Sequence, residues 1–439
     1  MSAIPGDIDA DAGPPMTVPL RHFVVALAFL VAGVAVGLAG GRRGHLAQVH
    51  LLLAGWVCLT IMGAMTQFVP VWSGVALHSR RLAALQLPLA AAGFAGLAAG
   101  FLLGVPAVLP VAGVVAVAGV WTFAYNVGRT LARAPWDVTT RHFAAALAWF
   151  LAVTAAGLVL ALDHATGVLA SVGVPRVRLS TAHATAAVFG AVLTTVVGAL
   201  AQLVPMFTQT DATRLDRWLR RFERVGYHAG VALLAGGRLA GAAPVARVGG
   251  LLVAASLAAV AVGLAGRLRR APVERSPMLT RYAVAAVALL CWAPLAALAW
   301  LRDPLAYGAL FGHPATGALL LVGGVGFVVV GTLYHVVPFI VWVHRYSDRL
   351  GFESVPMVED LYDGRVAAAD GVALSLAGLL ALAGEAGVGP DGVGLAAGAA
   401  ALCGAVLVAA NLVGVLLAHS ADSLPAVLGG RVAADLFDR

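Results

Sequence analysis

Apolar residues dominate this chain in long runs, separated by short segments that contain arginine, glycine and proline. Within each run the apolar residues do not alternate with polar ones, so the strands of a membrane barrel are not indicated. Each run instead has the ~20 residues that an α-helix needs to cross about 30 Å of hydrocarbon. The runs predict twelve helices, at residues 22–41, 46–72, 82–104, 107–128, 141–162, 180–207, 226–242, 246–266, 279–301, 313–342, 370–388 and 392–418.

The composition supports an all-α integral membrane protein. Hydrophobic residues make up 61% of the chain and charged residues 11%, and the mean hydropathy is +0.93. A soluble domain carries about 25% charged residues, so this chain has too few to cover a water-facing surface. We therefore expect one transmembrane domain over residues 21–420, with a disordered cytoplasmic leader at 1–20 and a cytoplasmic tail at 421–439.

The arginines indicate an orientation in the membrane. All 28 residues counted as lysine or arginine are arginines. Eighteen lie in or beside the loops that follow even-numbered helices, and seven lie in or beside those that follow odd-numbered helices. The positive-inside rule then places the even-numbered loops and both termini in the cytoplasm, and the expected partner is the bilayer of the plasma membrane. Because topology accounts for the net charge of +7, no nucleic-acid partner is expected.

One short pattern occurs three times. The segments GAMTQFVP at 63–70, GALAQLVP at 198–205 and GTLYHVVP at 331–338 each end a predicted helix, the second, sixth or tenth. Their glycines are 135 and 133 residues apart. Proline removes a backbone donor and stops regular winding, whereas glycine lets a neighbour approach the backbone closely. The spacing predicts three pseudo-repeated four-helix units, whose second helices line a shared interior.

Histidines lie near the outer ends of these three helices, at His50, His183 and His313. Imidazole is a side chain that ligates haem iron, and a polar group near the hydrocarbon is a functional candidate. The other histidines at helix ends and in loops are expected to be solvated or interfacial: His22, His78, His142, His164, His344 and His419. Carboxylates are almost absent from the predicted spans, since Glu385 lies at a helix end and Asp163 in an outer loop.

A second polar site is predicted at the cytoplasmic side. His335 occupies the position that Gln67 and Gln202 hold in the other two repeats. Arg345 and Tyr346 follow on the same predicted helix and are candidates for the same site. His335 lies 22 residues after His313, which is about 33 Å along a helix at ~1.5 Å per residue, so the two histidines cannot bind one metal.

These features resemble subunit I of the haem–copper oxidases and nitric oxide reductases, which has twelve helices in three pseudo-repeated groups of four. The segment HLLLAGWVCLTIMGAMTQFVP, from His50 to Pro70, resembles the second helix of the high-affinity bacterial oxidase branch. The stretch GHPATGALLLVGGVGF, from Gly312 to Phe327, resembles a glycine- and histidine-containing pattern of the same branch. The chain also resembles a twelve-helix haem-containing family associated with nitric oxide stress and denitrification.

The resemblance implies a haem held by His50 and His313, with His183 as the candidate for an open metal position. The family uses a pair of histidines at the start of the tenth helix, and the second of that pair falls on Ala315 here. The pair of haem-binding histidines that the family uses is therefore incomplete here, or His313 has taken over the role of the missing second histidine.

Two further departures concern the copper centre. The family takes a pair of copper ligands from the seventh helix, which offers only His228 in this chain. The redox tyrosine falls on Val188 of the sixth helix, and Tyr227 lies at the wrong end of the seventh for the variant arrangement. Copper and four-electron oxygen reduction are therefore not expected.

The resemblance implies a membrane haem protein in respiratory electron transfer or nitric oxide handling, with quinone or another respiratory redox partner. Two alternatives stay open. A catalytic terminal oxidase or nitric oxide reductase subunit requires a ligand set other than the one aligned here. A haem-free transporter or structural membrane protein also accounts for the internal repeat.

Overall fold

The structure, a computed structural model, describes residues 14–39, 41–420 and 422–429. It is 84% helical, which confirms the prediction of an all-α membrane protein. The described residues form twelve long helices: α1 (Thr17–Ala39), α2 (Gly44–Ser73), α3 (Arg80–Leu103), α4 (Val108–Leu131), α5 (Val138–Thr166), α6 (Arg176–Thr208), α7 (Arg214–Ala240), α8 (Ala243–Arg270), α9 (Pro277–Arg302), α10 (Leu319–Arg349), α11 (Gly364–Glu385) and α12 (Val393–His419). Most of the predicted leader and tail lies outside the described residues.

Eleven of these helices are long and apolar enough to cross a membrane, and α7 is the exception. The sequence predicts a helix from residue 226, but α7 begins at Arg214, where Thr213 and Asp216 form a capping box. Its first eleven residues contain five arginines, which hide the helix from a hydropathy scan. After Gly241, α8 returns antiparallel and packs along α7, so residues 214–270 form a long helical hairpin.

The helices pack in an order that recurs every four positions. Each helix contacts its successor in the chain, and α12 returns to contact α1. In addition, α2 contacts α4, α6 contacts α8 and α10 contacts α12. Among the eleven candidate spans, α2, α6 and α10 are the most buried, with 61%, 78% and 72% of the apolar window inside, against at most 50% for the others. The three helices that carry the repeated sequence pattern therefore form the interior, as predicted.

A stretch of π-helix interrupts each of these interior helices. The stretches cover His50–Cys58, Ala186–Val192 and Leu319–Gly326. Each ends five or six residues before the glycine of the repeat. π-helical turns inside α-helices are rare and occur frequently at functional sites, so their recurrence at one place is a structural property of the repeat.

The prolines of the repeat were predicted to end the three helices, but they do not. All three lie inside continuous helix: Pro70, Pro205 and Pro338. Regular α-helix continues to Ser73, Thr208 and Tyr346. Each proline removes the N–H that would bond the carbonyl four residues before it, and the helix nevertheless continues past it.

Polar side chains cap helix starts at one end of the bundle, which we call the arginine-rich end because it holds the loops after α2, α4, α6, α8 and α10. The cap residues are Ser79, Asp137, Thr213, Ser276 and Asp363. The starts of α4, α6, α8 and α12, at the opposite end, have no such side-chain bond. There the start of α10 receives its cap from another helix, since the Glu385 carboxylate accepts from the Ala318 backbone N–H at 3.2 Å.

Candidate functional site

His50 lies in the second turn of α2, at the opposite end of the bundle, where the first π-helical stretch begins. Its Nδ1 lies 2.8 Å from the carbonyl oxygen of Leu46. Because a carbonyl can only accept, Nδ1 carries the proton and Nε2 keeps a free lone pair. This tautomer is the one that a metal-binding histidine adopts when its other ring nitrogen is held by the backbone.

His183 has the same arrangement in the second turn of α6. Its Nδ1 lies 3.0 Å from the carbonyl oxygen of Val153 on α5, so its Nε2 is also unprotonated. Gly157 permits this approach, since a Cβ atom at that position would lie 3.0 Å from Cε1 of the imidazole. The π-helical stretch of α2 begins at His50 and that of α6 begins three residues after His183, and these two stretches are in contact. The structure thus places the histidines of α2 and α6 on two helices that touch at this end of the bundle.

His313 lies at the start of the tenth helix, close to its predicted place, as the N-cap residue of a 3-10 turn over Pro314–Thr316 that continues into α10. Gly312 has φ +105°, and Pro314 occupies the first position of that turn. The imidazole is exposed, and its Nδ1 accepts from the Ala315 backbone N–H at 3.2 Å. In the neutral ring the proton is then on Nε2, the opposite tautomer to that of His50.

The segment before His313 is fixed by a buried arginine. Arg238 of α7 is 2% exposed and donates to the carbonyl oxygens of Pro304, Ala309 and Leu310 and to the hydroxyl of Thr185. The indole N–H groups of the buried Trp292 and Trp300 also donate to carbonyls of this segment, those of Phe311 and Ala309. The connection between α9 and α10 is therefore a built part of the bundle, and it determines where His313 lies.

A cavity adjoins His50 on the side of α3 to α5. Its walls include Leu46, Phe101 and His164. The Phe101 ring lies between two imidazoles, 5.0 Å from that of His50 and 6.1 Å from that of His164 by ring centroids. Phe101 therefore separates His50 from this cavity.

The structure does not assemble the predicted inner polar site. Gln202 is exposed, and the side-chain oxygen of Gln67 is buried without a hydrogen-bond partner among the described residues. The His335 ring packs against Phe207 of α6, 4.2 Å away by centroids. The two neighbouring candidates face α12 instead: Arg345 donates to the carbonyl of His419, and the Tyr346 hydroxyl bonds the His419 ring.

Sequence reasoning missed a set of buried polar side chains at the arginine-rich end. His22 was expected to be solvated but is fully buried. Its Nδ1 donates to the Val18 carbonyl at 2.7 Å, and its Nε2 lies 3.1 Å from the amide nitrogen of Gln86 on α3. The same amide group donates to the Thr66 hydroxyl on α2. One polar residue each from α1, α2 and α3 thus takes part in one chain of hydrogen bonds, with Gln86 in the middle.

The corresponding helices α9, α10 and α11 carry a charged version of this cluster. Arg281 donates to the Asp370 carboxylate and also to the carbonyl of Pro277, four residues before it. The Tyr334 hydroxyl donates to the same carboxylate, and the Arg281 guanidinium lies 4.5 Å from the centre of the Tyr334 ring. Tyr334 and Thr66 both stand three residues after the repeat glycine. Asp370 is a buried carboxylate inside a span, where the sequence had suggested almost none.

The middle version joins α5 to α7. His142, also fully buried against expectation, places its Nδ1 2.8 Å from the Val138 carbonyl and its Nε2 2.8 Å from Oε1 of Glu223. The ring of His228 lies 4.7 Å from that of His142. The residue three after the repeat glycine is Ala201, which has no polar group and lines a cavity beside Glu223. The third member of the cluster is therefore missing here, and open space adjoins its position.

A sequence signal for these clusters exists. RHF occurs at 21–23 and at 141–143, and TRY takes its place at 280–282. In each case the first-helix residue packs on the repeat glycine, because a Cβ atom at Gly63, Gly198 or Gly331 would lie 2.6 to 3.1 Å from the Cβ of His22, His142 or Arg281. The partners on the third helices are 64 to 89 residues away in the chain, so only the fold reveals them.

Among the described residues, no group of three or more histidine, cysteine, aspartate or glutamate side chains is arranged to hold a metal ion. The possible metal ligands near His50 in the described part of the chain are therefore separate imidazoles, not a cluster of side chains around one metal position. No protein-family model matches the chain, and no curated protein matches it in sequence.

Proposed function

We propose that this protein is a membrane haem protein with the three-unit helix arrangement of haem–copper oxidase subunit I and without a complete copper site. The observation that carries the proposal is that His50 and His183 lie on two interior helices that touch, each with Nδ1 held by a backbone carbonyl and Nε2 left as an acceptor. Support comes also from the helix contacts that recur three times, at every fourth helix, and from the π-helical stretches at matching places in α2, α6 and α10.

The donor chemistry at this end fits a haem. A bis-imidazole site needs two histidines whose Nδ1 atoms are held by acceptors, so that both Nε2 atoms point lone pairs at the iron. His50 and His183 meet this requirement, and His313 in its present hydrogen bond does not. The axial pair that we propose is therefore His50 with His183, which replaces the pair His50 and His313 that the family resemblance implies.

A bound haem supplies one-electron chemistry and a place for a small gas, and the chain supplies the surroundings. The carbonyls of Leu46 and Val153 fix the tautomer and the direction of the two imidazoles. Apolar side chains on α2 next to His50, Leu51 and Leu52, provide the contacts that a flat hydrophobic ligand requires. The role proposed is electron transfer in respiration or nitric oxide handling, with quinone or another respiratory redox partner.

Visible absorption spectra of the purified protein, oxidised and dithionite-reduced, test this proposal. We expect a Soret band and sharp reduced bands that are lost in His50→Ala and in His183→Ala. His313→Ala and His164→Ala should keep them, since these are exposed or paired histidines of the same end. Retention in His183→Ala with loss in His313→Ala would restore the pair that the family resemblance implies, and a featureless wild-type spectrum would remove haem altogether.

A haem-free transporter is the second candidate, because the structure contains buried ionisable pairs within the spans. Arg281 with Asp370 and His142 with Glu223 both lie about one and a half turns from the arginine-rich end. Ionisable residues inside a membrane commonly mark ion or proton pathways. This candidate predicts a featureless visible spectrum, together with proton or ion flux into proteoliposomes that Glu223→Gln abolishes.

A further inference from the structure

The cavity beside Glu223 lies between α6, α7 and α8, at the end of the bundle away from His50. Aliphatic side chains from α6 and α8 form most of its wall, among them Leu200, Val204 and Leu264. Two arginines, Arg220 of α7 and Arg267 of α8, line the same space. A cavity that combines aliphatic walls with guanidinium groups suits a ligand with an anionic group and an apolar chain.

Most of the charged groups around this cavity have a partner, and Arg220 is the exception. The guanidinium groups of Arg220, Arg267 and Arg270 lie near the carboxylates of Asp211, Asp216 and Glu223. Arg270 pairs with Asp216 at 2.8 Å, and Glu223 pairs with His142 at 2.8 Å. No carboxylate in the described part of the chain pairs with Arg220.

Asp216 stays ionised in these surroundings. Burial acts to raise its pKa, but the hydrogen bonds from Thr213 and the charges of Arg270 and Arg267 lower the pKa overall. The Arg267 guanidinium is itself held by the carbonyl oxygen of Thr210, at 2.7 Å. Asp216 therefore neutralises Arg270 and holds the cavity wall in place, and Arg220 is left to meet a ligand.

The first half of α7 also has three distinct faces. One faces the protein and carries Asp216, Arg220 and Glu223. A second carries four arginines at helical spacing: Arg214, Arg217, Arg221 and Arg224. A third is apolar and largely exposed, with Leu215, Trp218 and Val225 between 55% and 65% exposed. A basic face beside an exposed tryptophan and aliphatic side chains is typical of a helix at the headgroup level of a membrane.

We propose that the cavity between α6, α7 and α8 binds the phosphate headgroup of an anionic phospholipid, with Arg220 as its principal contact. Guanidinium groups match phosphate oxygens in geometry and charge. The aliphatic wall of the cavity accepts the start of an acyl chain, and the arginine face of α7 attracts further anionic headgroups. A free inorganic anion would leave that aliphatic wall uncovered. The proposal does not rest on haem, because the site lies at the other end of the bundle.

Native mass spectrometry and thermal unfolding of the full-length protein in detergent test the site. Phosphatidylglycerol should stay bound and raise the unfolding midpoint, whereas phosphatidylcholine and inorganic phosphate should not. Arg220→Gln should reduce the retained phosphatidylglycerol about fivefold, the factor that corresponds to one basic residue at an anionic surface. Arg224→Gln is the comparison variant: it removes the same charge from the exposed arginine face of the same helix, outside the cavity, and should reduce the retained phosphatidylglycerol less than Arg220→Gln does.

A second variant tests the cavity without changing charge. Ala201→Leu adds volume to the wall beside Glu223 and should also lower lipid retention, even if Arg220→Gln fails to fold. Equal losses in Arg220→Gln and Arg224→Gln would assign lipid binding to the arginine face alone and overturn the proposal. Stabilisation by inorganic phosphate equal to that by phosphatidylglycerol would overturn it in favour of a free anion, and no effect of phosphatidylglycerol would remove the site.

Discussion

Nε2 of His142 lies 2.8 Å from Oε1 of Glu223, and both side chains are buried where α5 meets α7. Both ring nitrogens of His142 face acceptors, because Nδ1 bonds the Val138 carbonyl. The hydrogen bond between Nε2 and Oε1 therefore needs a proton on one of these two atoms. In the corresponding pair, Nε2 of the neutral His22 ring can accept from the Gln86 amide, so no such proton is needed. Either His142 is an imidazolium ion or Glu223 is protonated, and the two states share one hydrogen bond.

This relationship predicts different effects of two substitutions at Glu223. Glu223→Gln reproduces the first unit, since the Gln amide can donate to Nε2 as Gln86 does for His22, and should change stability little. Glu223→Leu removes the partner of a buried imidazole and should cost about 1–3 kcal/mol. Thermal or denaturant unfolding in a fixed detergent measures both. Equal losses for the two variants would show that the hydrogen bond contributes little.

Glycine substitutions should rank according to the space beside each repeat glycine. A Cβ atom at Gly63 or Gly198 would lie 2.6 Å from the Cβ of His22 or His142, whereas at Gly331 the nearest contact is 3.1 Å. Gly63→Ala and Gly198→Ala should therefore destabilise by about 1–3 kcal/mol, the usual cost of overpacking, and Gly331→Ala by less. Unfolding midpoints in detergent provide the measurement.

The control for that series is Gly236, an exposed position on α7 with no atom within 4 Å of an added Cβ. Gly236→Ala should be neutral or slightly stabilising, because alanine has the higher helix propensity. If Gly236→Ala proved as harmful as Gly198→Ala, close packing on the first helices would not be the cause.

Arg238→Lys should loosen the connection between α9 and α10. A lysine has three donors on one nitrogen and cannot reproduce the planar fork that reaches Pro304, Ala309 and Thr185 together. We expect faster proteolysis within residues 303–312, scored by the masses of the fragments. Arg247→Lys is the control, since Arg247 is only half-buried and makes one bond, to the Leu301 carbonyl. Similar cleavage of both variants would contradict the anchoring role.

The orientation predicted from the arginines can be tested with reporter fusions. Sites after Gly104 and after Ala212 lie in loops at opposite ends of the bundle, so they should report opposite sides of the membrane, with Ala212 cytoplasmic. A phosphatase reporter active only outside and a fluorescent reporter active only inside give complementary signals. The same signal from both sites would contradict the topology.

Several elements follow from the sequence because their causes are local. Apolar runs determine eleven spans, and glycine spacing identifies the three interior helices. The start of α7 was predicted wrongly because four of its five arginines lie on one face of a helix, which averaging over a window cannot distinguish from a polar loop. The start of the tenth helix also follows from local sequence, because Pro314 suits a first helical position and His313 before it caps the turn.

The buried polar clusters depend on distant partners. His22 and His142 were expected to be solvated because each lies near a helix end, and nothing beside them in sequence indicates burial. Their hydrogen-bond partners, Gln86 and Glu223, lie two helices further along the chain, on α3 and α7. The pairing of His50 with His183 likewise depends on how α2 meets α6, which the repeat suggests but does not specify.

The π-helical stretches have a consequence for how these three helices tolerate change in length. A widened turn accommodates an extra residue, and one residue corresponds to about 100° of rotation in a helix of 3.6 residues per turn. The spacing in sequence between the half of α2 that carries His50 and the half that carries Pro70 is therefore about one residue longer than regular α-helical spacing would give. A one-residue deletion between His50 and Cys58 would restore regular winding and leave the helix intact. It would leave His50 facing the same side and Gly63 in contact with His22, whereas a one-residue deletion outside the stretch would rotate one half by about 100° against the other, so each interior helix tolerates a change in length at one place only.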